Sequence, residues 1–328
     1  MIKALSLTGP TASGKTAISI ELARRFGCEI ICCDSMQIYR YMDIGTAKAT
    51  PEERAAVPHY MLDFLSPDEK YSAQRYREQA LLVAEDITSR GKIPLFVGGT
   101  GLYIDTVIRP SASATPESSP ELRARLMEQA STELGREMLY ERLTKVDPES
   151  AALTHKNNVK RVVRALEIFE TTGRPKSLLD KKCAGLAEDI SVGMITIDFH
   201  DRANLYERVD LRVDQMMDEG LVEEARALSE RGYLSGDGTA LQAIGYKELL
   251  PYLRGEEELS SAAERIKLKT RQYAKRQLTW FRHEPDALRL YPDTESGIMK
   301  DKDALMDEAS ELCSRIIRKM DIIKERQS

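Results

Sequence analysis

Apolar and polar positions along the first 110 residues fall into two alternating rhythms. Short runs at Leu5–Thr8, Glu29–Cys33 and Ile93–Val97 read as buried strands. Ala17–Arg25 and Ala73–Ser89 instead space their apolar residues as helices do. This alternation predicts an α/β fold with a parallel sheet flanked by helices and function at the carboxyl ends of the strands.

The rhythm breaks at Arg109–Ser119, a Pro- and Ser-rich stretch that reads as a linker or loop. From Pro120 to about Gly173 the spacing is helical throughout. The pattern predicts a helical insertion over 111–190, set into a core made of 1–110 and 191–328. Ser191–Phe199 returns to strand. Arg202–Arg231 reads as a long amphipathic helix interrupted near Gly220. Ser260–Arg282 and the segment from about Asp303 complete the helices.

The first strand leads straight into Gly9-Pro10-Thr11-Ala12-Ser13-Gly14-Lys15-Thr16, and a helix follows. Strand, glycine loop and helix in this order make a phosphate-binding P-loop. Gly9 and Gly14 allow backbone angles that turn successive N–H groups onto phosphate oxygens. The opening helix adds its positive dipole end, Lys15 a cation and Thr16 a hydroxyl able to ligate Mg²⁺. Two further strand ends carry chemistry. Asp34-Ser35-Met36-Gln37 follows the second strand, and Gly98-Gly99-Thr100-Gly101 follows the next. A carboxylate there can serve as general base or as a helix cap.

Charge changes the picture locally. The 328 residues carry 48 Lys and Arg against 53 Asp and Glu, a formal net charge of −5, which argues against indiscriminate nucleic-acid binding. Yet Lys156–Lys182 holds eight Lys or Arg against three acids, and Ala262–Arg282 holds seven against Glu264 alone. Each window alone reads as a solvated face; two on an acidic chain point to an anionic polymer. Tyr273, Trp280 and Phe281 stand among the second set, where they suit stacked bases or a core. Cys28, Cys32, Cys33, Cys183 and Cys313 form no Cys-x-x-Cys pair and read as reduced core thiols. The four histidines offer no metal-ligand spacing. No apolar run has the ~18 residues of a membrane span. The early P-loop leaves no room for a cleaved leader, so a cytoplasmic protein is expected.

Taken together, these residues resemble the tRNA dimethylallyltransferases. The likeness rests on the P-loop, Asp-Ser-Met-Gln-Ile-Tyr (34–39), Gly-Thr-Ala-Lys (45–48), Pro-His-Tyr-Met-Leu-Asp (58–63) and Gly-Gly-Thr-Gly-Leu-Tyr (98–103). It continues through Arg-Val-Val-Arg-Ala-Leu-Glu (161–167), Leu-Tyr-Glu-Arg-Val-Asp-Leu-Arg-Val (205–213), Gln-Ala-Ile-Gly-Tyr-Lys-Glu (242–248) and the segment 270–282. The chain departs from the family at Asn158-Val159-Lys160-Arg161, where the family usually shows Asn-Pro-Gln-Arg.

The resemblance implies a P-loop NTPase-like core and transfer of a dimethylallyl group from dimethylallyl diphosphate to N6 of the adenosine 3′ of the anticodon. It implies Mg²⁺ near Thr16 and a diphosphate cradle from Gly9 to Thr16. Asp34 is then the base, Thr100 an orienting hydroxyl, and Arg212 (or Arg208, one turn away) a clamp on the leaving group. Gln37 would read the purine edge. The tRNA-binding set comprises Asp34, Ser35, Met36, Gln37, Thr100, Arg123, Asn158, Val159, Lys160, Arg161, Val162, Arg164, Gln242, Gly245, Tyr246 and Lys247. The partners expected are the tRNA anticodon stem-loop and the prenyl diphosphate, with no membrane, and the protein a monomer. The competing readings are a P-loop small-molecule kinase, an adenylate isopentenyltransferase acting on free nucleotide, and an RNA-binding NTPase switch.

Overall fold

Strand β1 (Ile2–Thr8) is buried along nearly its whole length, so it needs a neighbour on each edge and cover on each face. It finds them in the centre of a six-stranded sheet, described by a computed structural model over residues 1–109, 119–182, 187–235 and 239–327. The other strands are β2 (Cys28–Cys32), β3 (His59–Tyr60), β4 (Ile93–Gly98), β5 (Ile190–Ile197) and β6 (Leu288–Leu290). Their order is β3-β2-β4-β1-β5-β6, and every pairing is parallel. Thr8 lies beside Gly98 and Thr196, while Cys32 lies beside Val97. This register brings the loops after β1, β2 and β4 to one edge, where a parallel sheet binds its ligands.

The chain divides into two units, Met1–Ile104 with Glu188–Ser328, and Asp105–Ala187. In the first, β1 runs through the phosphate loop into α1 (Lys15–Phe26). α2 (Pro51–Ala56) and α3 (Ala73–Ser89) follow, and then α4 (Gly101–Ile108), in which the unit boundary falls. The insertion therefore begins at Asp105 instead of 111, because α4 continues unbroken out of the β4 turn. It ends at Ala187 instead of 190, because Ile190 already pairs with Ile2 in the sheet.

The insertion comprises α5 (Pro120–Gln129), α6 (Glu133–Val146), α7 (Pro148–Ala152), α8 (Val159–Thr172) and α9 (Lys176–Lys182). Leu126, Leu139, Leu143, Val162, Val163 and Leu166 form a core of its own. Most of the expected linker, and Cys183, lie outside the described residues. The first unit resumes with α10 (Arg202–Asp218) and α11 (Leu221–Glu230), broken at Gly220 as expected, then α12 (Tyr246–Leu253), α13 (Leu259–Arg282) and α14 (Lys302–Gln327). Leu5 and Leu7 of β1 pack with Ile18 and Leu22 of α1, Leu205 and Val209 of α10, and Ala274 and Leu278 of α13. α10 and α13 are thereby fixed against the strand that feeds the phosphate loop.

Candidate active site

The loop after β1 is strained. Gly9 and Gly14 have φ of 150° and 91°, but Ala12, which carries a Cβ, also has φ of 62°. Such a residue costs about 1–3 kcal/mol and persists only where its surroundings hold it. Two long side chains do so. Arg208 Nε on α10 donates to the Ala12 carbonyl at 2.9 Å, and Gln277 Oε1 on α13 accepts from the Thr11 amide at 2.8 Å. Arg208 is therefore a brace of the loop, and of these two arginines of α10 it is Arg212 that lines the ligand space.

That space is a cavity of about 540 Å³. Thr11, Gly14, Lys15, Thr16, Asp34 and Arg212 line its polar part; Met36, Val213, Met216, Leu221, Ile244 and Ile266 give it an apolar wall. Lys15 Nζ donates to the Pro10 carbonyl at 2.6 Å. Burial, and then the neighbouring Arg212 charge, bring the Lys15 ammonium down to about 7, with Asp34 opposing. Burial likewise lowers Arg212, whose Nε has no hydrogen-bond partner among the described residues, against the pull of Asp34 and then Glu219. Two desolvated cations in one cavity are a site waiting for an anion.

Asp34 caps its own turn and leaves one oxygen open. Its Oδ1 caps the turn, accepting from the Met36 amide at 2.9 Å and the Gln37 amide at 3.4 Å. Among the described residues Oδ2 has no protein partner. The same carboxylate is thus oriented by one oxygen and available through the other.

Several expected site residues take other roles. The Thr100 hydroxyl accepts from the Ser35 amide at 3.0 Å and donates to Ser35 Oγ at 3.3 Å, and Thr100 lies beside the cavity rather than in its lining. It sets the Asp34 turn. Gln37 lines the cavity; its Nε2 donates to the Thr46 and Ala47 carbonyls and its Oε1 accepts from the Cys32 thiol, so its amide also secures the 46–47 loop. Tyr246 is fully buried, its hydroxyl donating to Glu224, which itself receives the amides of Asp43, Ile44 and Gly45. Ser35, Met36, Gln242 and Gly245 do line the cavity, and Lys247 is exposed.

The basic windows resolve into paired and unpaired charges. In the insertion, Arg123 and Arg164 both bind the buried Glu167 carboxylate, at 2.8 and 2.9 Å, so both compensate a buried charge while their own side chains stay partly exposed. Val162 is 2% exposed and belongs to that core, with Val159 packed against it. Asn158 caps α8. Lys160 and Arg161 are exposed in the first turn of α8. On α13, Arg265, Lys267, Arg271 and Arg282 pair with Glu257, Asp214, Asp210 and Asp198. Among the described residues Lys269, Lys275 and Arg276 carry no ion pair; Arg276 lines the cavity and lies over the Tyr273 ring. Trp280 is partly exposed, whereas Phe281 is core.

Sequence reasoning missed Gln277 and Glu224. Gln277 sits on the buried stripe of α13 with Ile266, Ala274, Leu278 and Phe281, and a Gln on such a stripe signals an obligatory polar contact. Cys28, Cys32, Cys33 and Cys313 are free and buried, as expected. No helix of the described residues is long and apolar enough to cross a membrane.

Comparison with known proteins agrees with this geometry. The family model described as IPP transferase matches residues 37–284, and that described as isopentenyl transferase matches 2–66. A tRNA dimethylallyltransferase of a Thermoanaerobacter species is 46% identical over 282 residues, 86% of this chain and 89% of that relative. One from Bacillus cereus is 47% identical over 285 residues, 87% and 88% of the two chains. Among solved structures, the full-length tRNA isopentenylpyrophosphate transferase of Bacillus halodurans superposes with a TM-score of 0.72 at 37% identity, covering 99% of this chain and 100% of that one. A eukaryotic dimethylallyltransferase acting on tRNA gives a TM-score of 0.74 at 32% identity, over 89% of this chain and 74% of that one.

Proposed function

The chain belongs to the tRNA dimethylallyltransferase family, and from that premise we propose that its cavity passes a dimethylallyl group from dimethylallyl diphosphate to N6 of the adenosine 3′ of a tRNA anticodon. The observation that carries this reading is the composition of one cavity. Buried Lys15 and Arg212 stand with the phosphate loop, an apolar wall suits a five-carbon chain, and Asp34 offers an unpartnered carboxylate oxygen. The apolar wall suits a prenyl chain better than a phosphoryl group. The exposed cations on α8, and those on α13 that carry no ion pair among the described residues, suit an RNA acceptor better than a free nucleotide.

An exocyclic adenine nitrogen is a weak nucleophile, and an allylic carbon becomes electrophilic as its diphosphate departs. The site therefore works at both ends. The loop amides, Lys15 and Arg212 take up charge that develops on the leaving diphosphate. Asp34 Oδ2 receives the N6 proton while the new N–C bond forms and the C–O bond breaks. Thr100 holds the Asp34 turn in place through Ser35.

Mg²⁺ fits beside Thr16. A hydroxyl at the start of α1 together with diphosphate oxygens makes the hard, mostly non-protein donor set this ion prefers. Bound there, it would add positive charge beside the leaving group. The acceptor base leaves its stack to reach the cavity, at about a few kcal/mol, which phosphate contacts offset. Lys160, Arg161, Lys269, Lys275 and Arg276 are the cations available for those contacts. Lys160 and Arg161 oppose the positive end of the α8 dipole, a placement an anionic partner relieves. A monomer in the cytoplasm completes the reading.

Diphosphate release from dimethylallyl diphosphate, followed with tRNA, with AMP or with no acceptor, tests it. Release dependent on tRNA is expected; release with AMP alone would favour the free-nucleotide enzyme.

A further inference from the structure

The loops after β1, β2 and β4 must keep a fixed separation for the site to work, yet they come from distant parts of the chain. One side chain from α13 joins them. Gln277 Oε1 accepts from the Thr11 amide at 2.8 Å, and its Nε2 donates to the Gly99 carbonyl at 2.9 Å. The residue is 5% exposed. Its fit depends on the glycine opposite, since a Cβ at Gly99 would stand 2.2 Å from Nε2. Thr100 follows Gly99 directly in the chain, and its hydroxyl accepts from the Ser35 amide at 3.0 Å. The strained phosphate loop is therefore tied through Gln277 of α13 to Gly99, and through the neighbouring Thr100 to the turn that carries Asp34.

A side-chain amide meets this geometry at neutral pH. It presents an acceptor to Thr11 and a donor to Gly99; a glutamate offers two acceptors, and a methionine of the same length offers neither group. Gln277 cannot be replaced by Arg208 in this duty. Arg208 holds the loop by the Ala12 carbonyl but makes no link to Gly99.

We infer that Gln277 is a positioning residue for prenyl transfer, setting the separation of the diphosphate loop from the Asp34 turn through Thr11, Gly99 and Thr100. The inference rests on the function proposed above. Misplacing reacting groups by about 1 Å can reduce a rate on the order of 10²-fold, so the effect is expected in the chemical step.

Gln277→Met tests it in the full-length protein, with unmodified tRNA and dimethylallyl diphosphate. The expected result is a single-turnover rate lowered about 30- to 100-fold, weaker binding of inorganic diphosphate and tRNA affinity within about twofold of the parent. Gly99→Ala, which displaces the amide without altering residue 277, should reproduce the rate defect. A folded Gln277→Met protein with rate and diphosphate affinity within twofold of the parent would overturn the inference.

Gln277→Glu keeps the question open to test should the methionine variant fail to fold. Protonated, the glutamate regains a donor toward Gly99, so its activity relative to the parent should rise as pH falls from about 8 to 6. A ratio flat across that range would count against the role. The proposed function fails separately. An inactive parent whose diphosphate affinity still drops with Gln277→Met would refute prenyl transfer and retain the positioning role; an inactive parent with unaltered affinity would refute both.

Discussion

Arg212 lowers the proton affinity of Lys15, adding to the larger effect of burial, and brings the lysine to about 7. The free enzyme thus holds a cation at the edge of neutrality inside the cavity where a diphosphate is to bind. A bound polyanion favours the charged lysine, so binding should take up a proton. Affinity for dimethylallyl diphosphate should fall as pH rises above about 7, by up to about tenfold per unit while the bound lysine stays charged. Calorimetry at pH 8 in buffers of different ionisation enthalpy should show proton uptake, and Lys15→Met should abolish it. The same shift acts oppositely on folding. Between about 7 and the ordinary lysine value of 10.5 the unfolded chain binds more protons, so this group's destabilising effect is lifted as pH rises through that window.

Asp34→Asn keeps the Oδ1 contacts to the Met36 and Gln37 amides but removes the base. Single-turnover transfer should fall about 10²- to 10⁴-fold, with tRNA affinity little altered. Equal losses in rate and affinity would make Asp34 a binding residue instead.

Arg123 and Arg164 should matter to the stability of the insertion. Removing one leaves the buried Glu167 carboxylate with the other arginine and the Ser119 amide, at a cost of about 1–3 kcal/mol. Thermal or denaturant unfolding should register Arg164→Ala strongly. Lys160→Ala and Arg161→Ala should leave unfolding unchanged and each lower the salt dependence of tRNA binding by about one.

The α13 cations divide the same way. Alanine at Lys269, Lys275 and Arg276 together should flatten the salt dependence of tRNA binding, while Lys267→Ala, which loses its contact with Asp214, should not. Fluorescence titration across salt concentrations distinguishes the two. An identical slope in both would return the whole helix to the status of a solvated face.

Local signals carried the fold a long way. The bounds of α3 match the apolar spacing of Ala73–Ser89 residue for residue, and the P-loop announced α1. The two-residue β3 and three-residue β6 left no periodicity to detect. Contacts distant in sequence were the ones out of reach. Counting cations on α13 could not reveal Asp198, Asp210 and Asp214 as their partners. The Asp-Ser-Met-Gln motif did not disclose that the Gln37 amide closes onto Thr46 and Ala47, because that turn depends on the loop held by Glu224. Val162 and Tyr246 sit in motifs and are buried in the packing of their elements, which a motif does not show.

The most direct test of the central claim is the mass of an unmodified tRNA transcript incubated with the purified protein, Mg²⁺ and dimethylallyl diphosphate. The account predicts a gain of one dimethylallyl group in place of a hydrogen, located by nuclease mapping at the adenosine 3′ of the anticodon and lost with Asp34→Asn. An RNA of unaltered mass, with the donor intact, would contradict it.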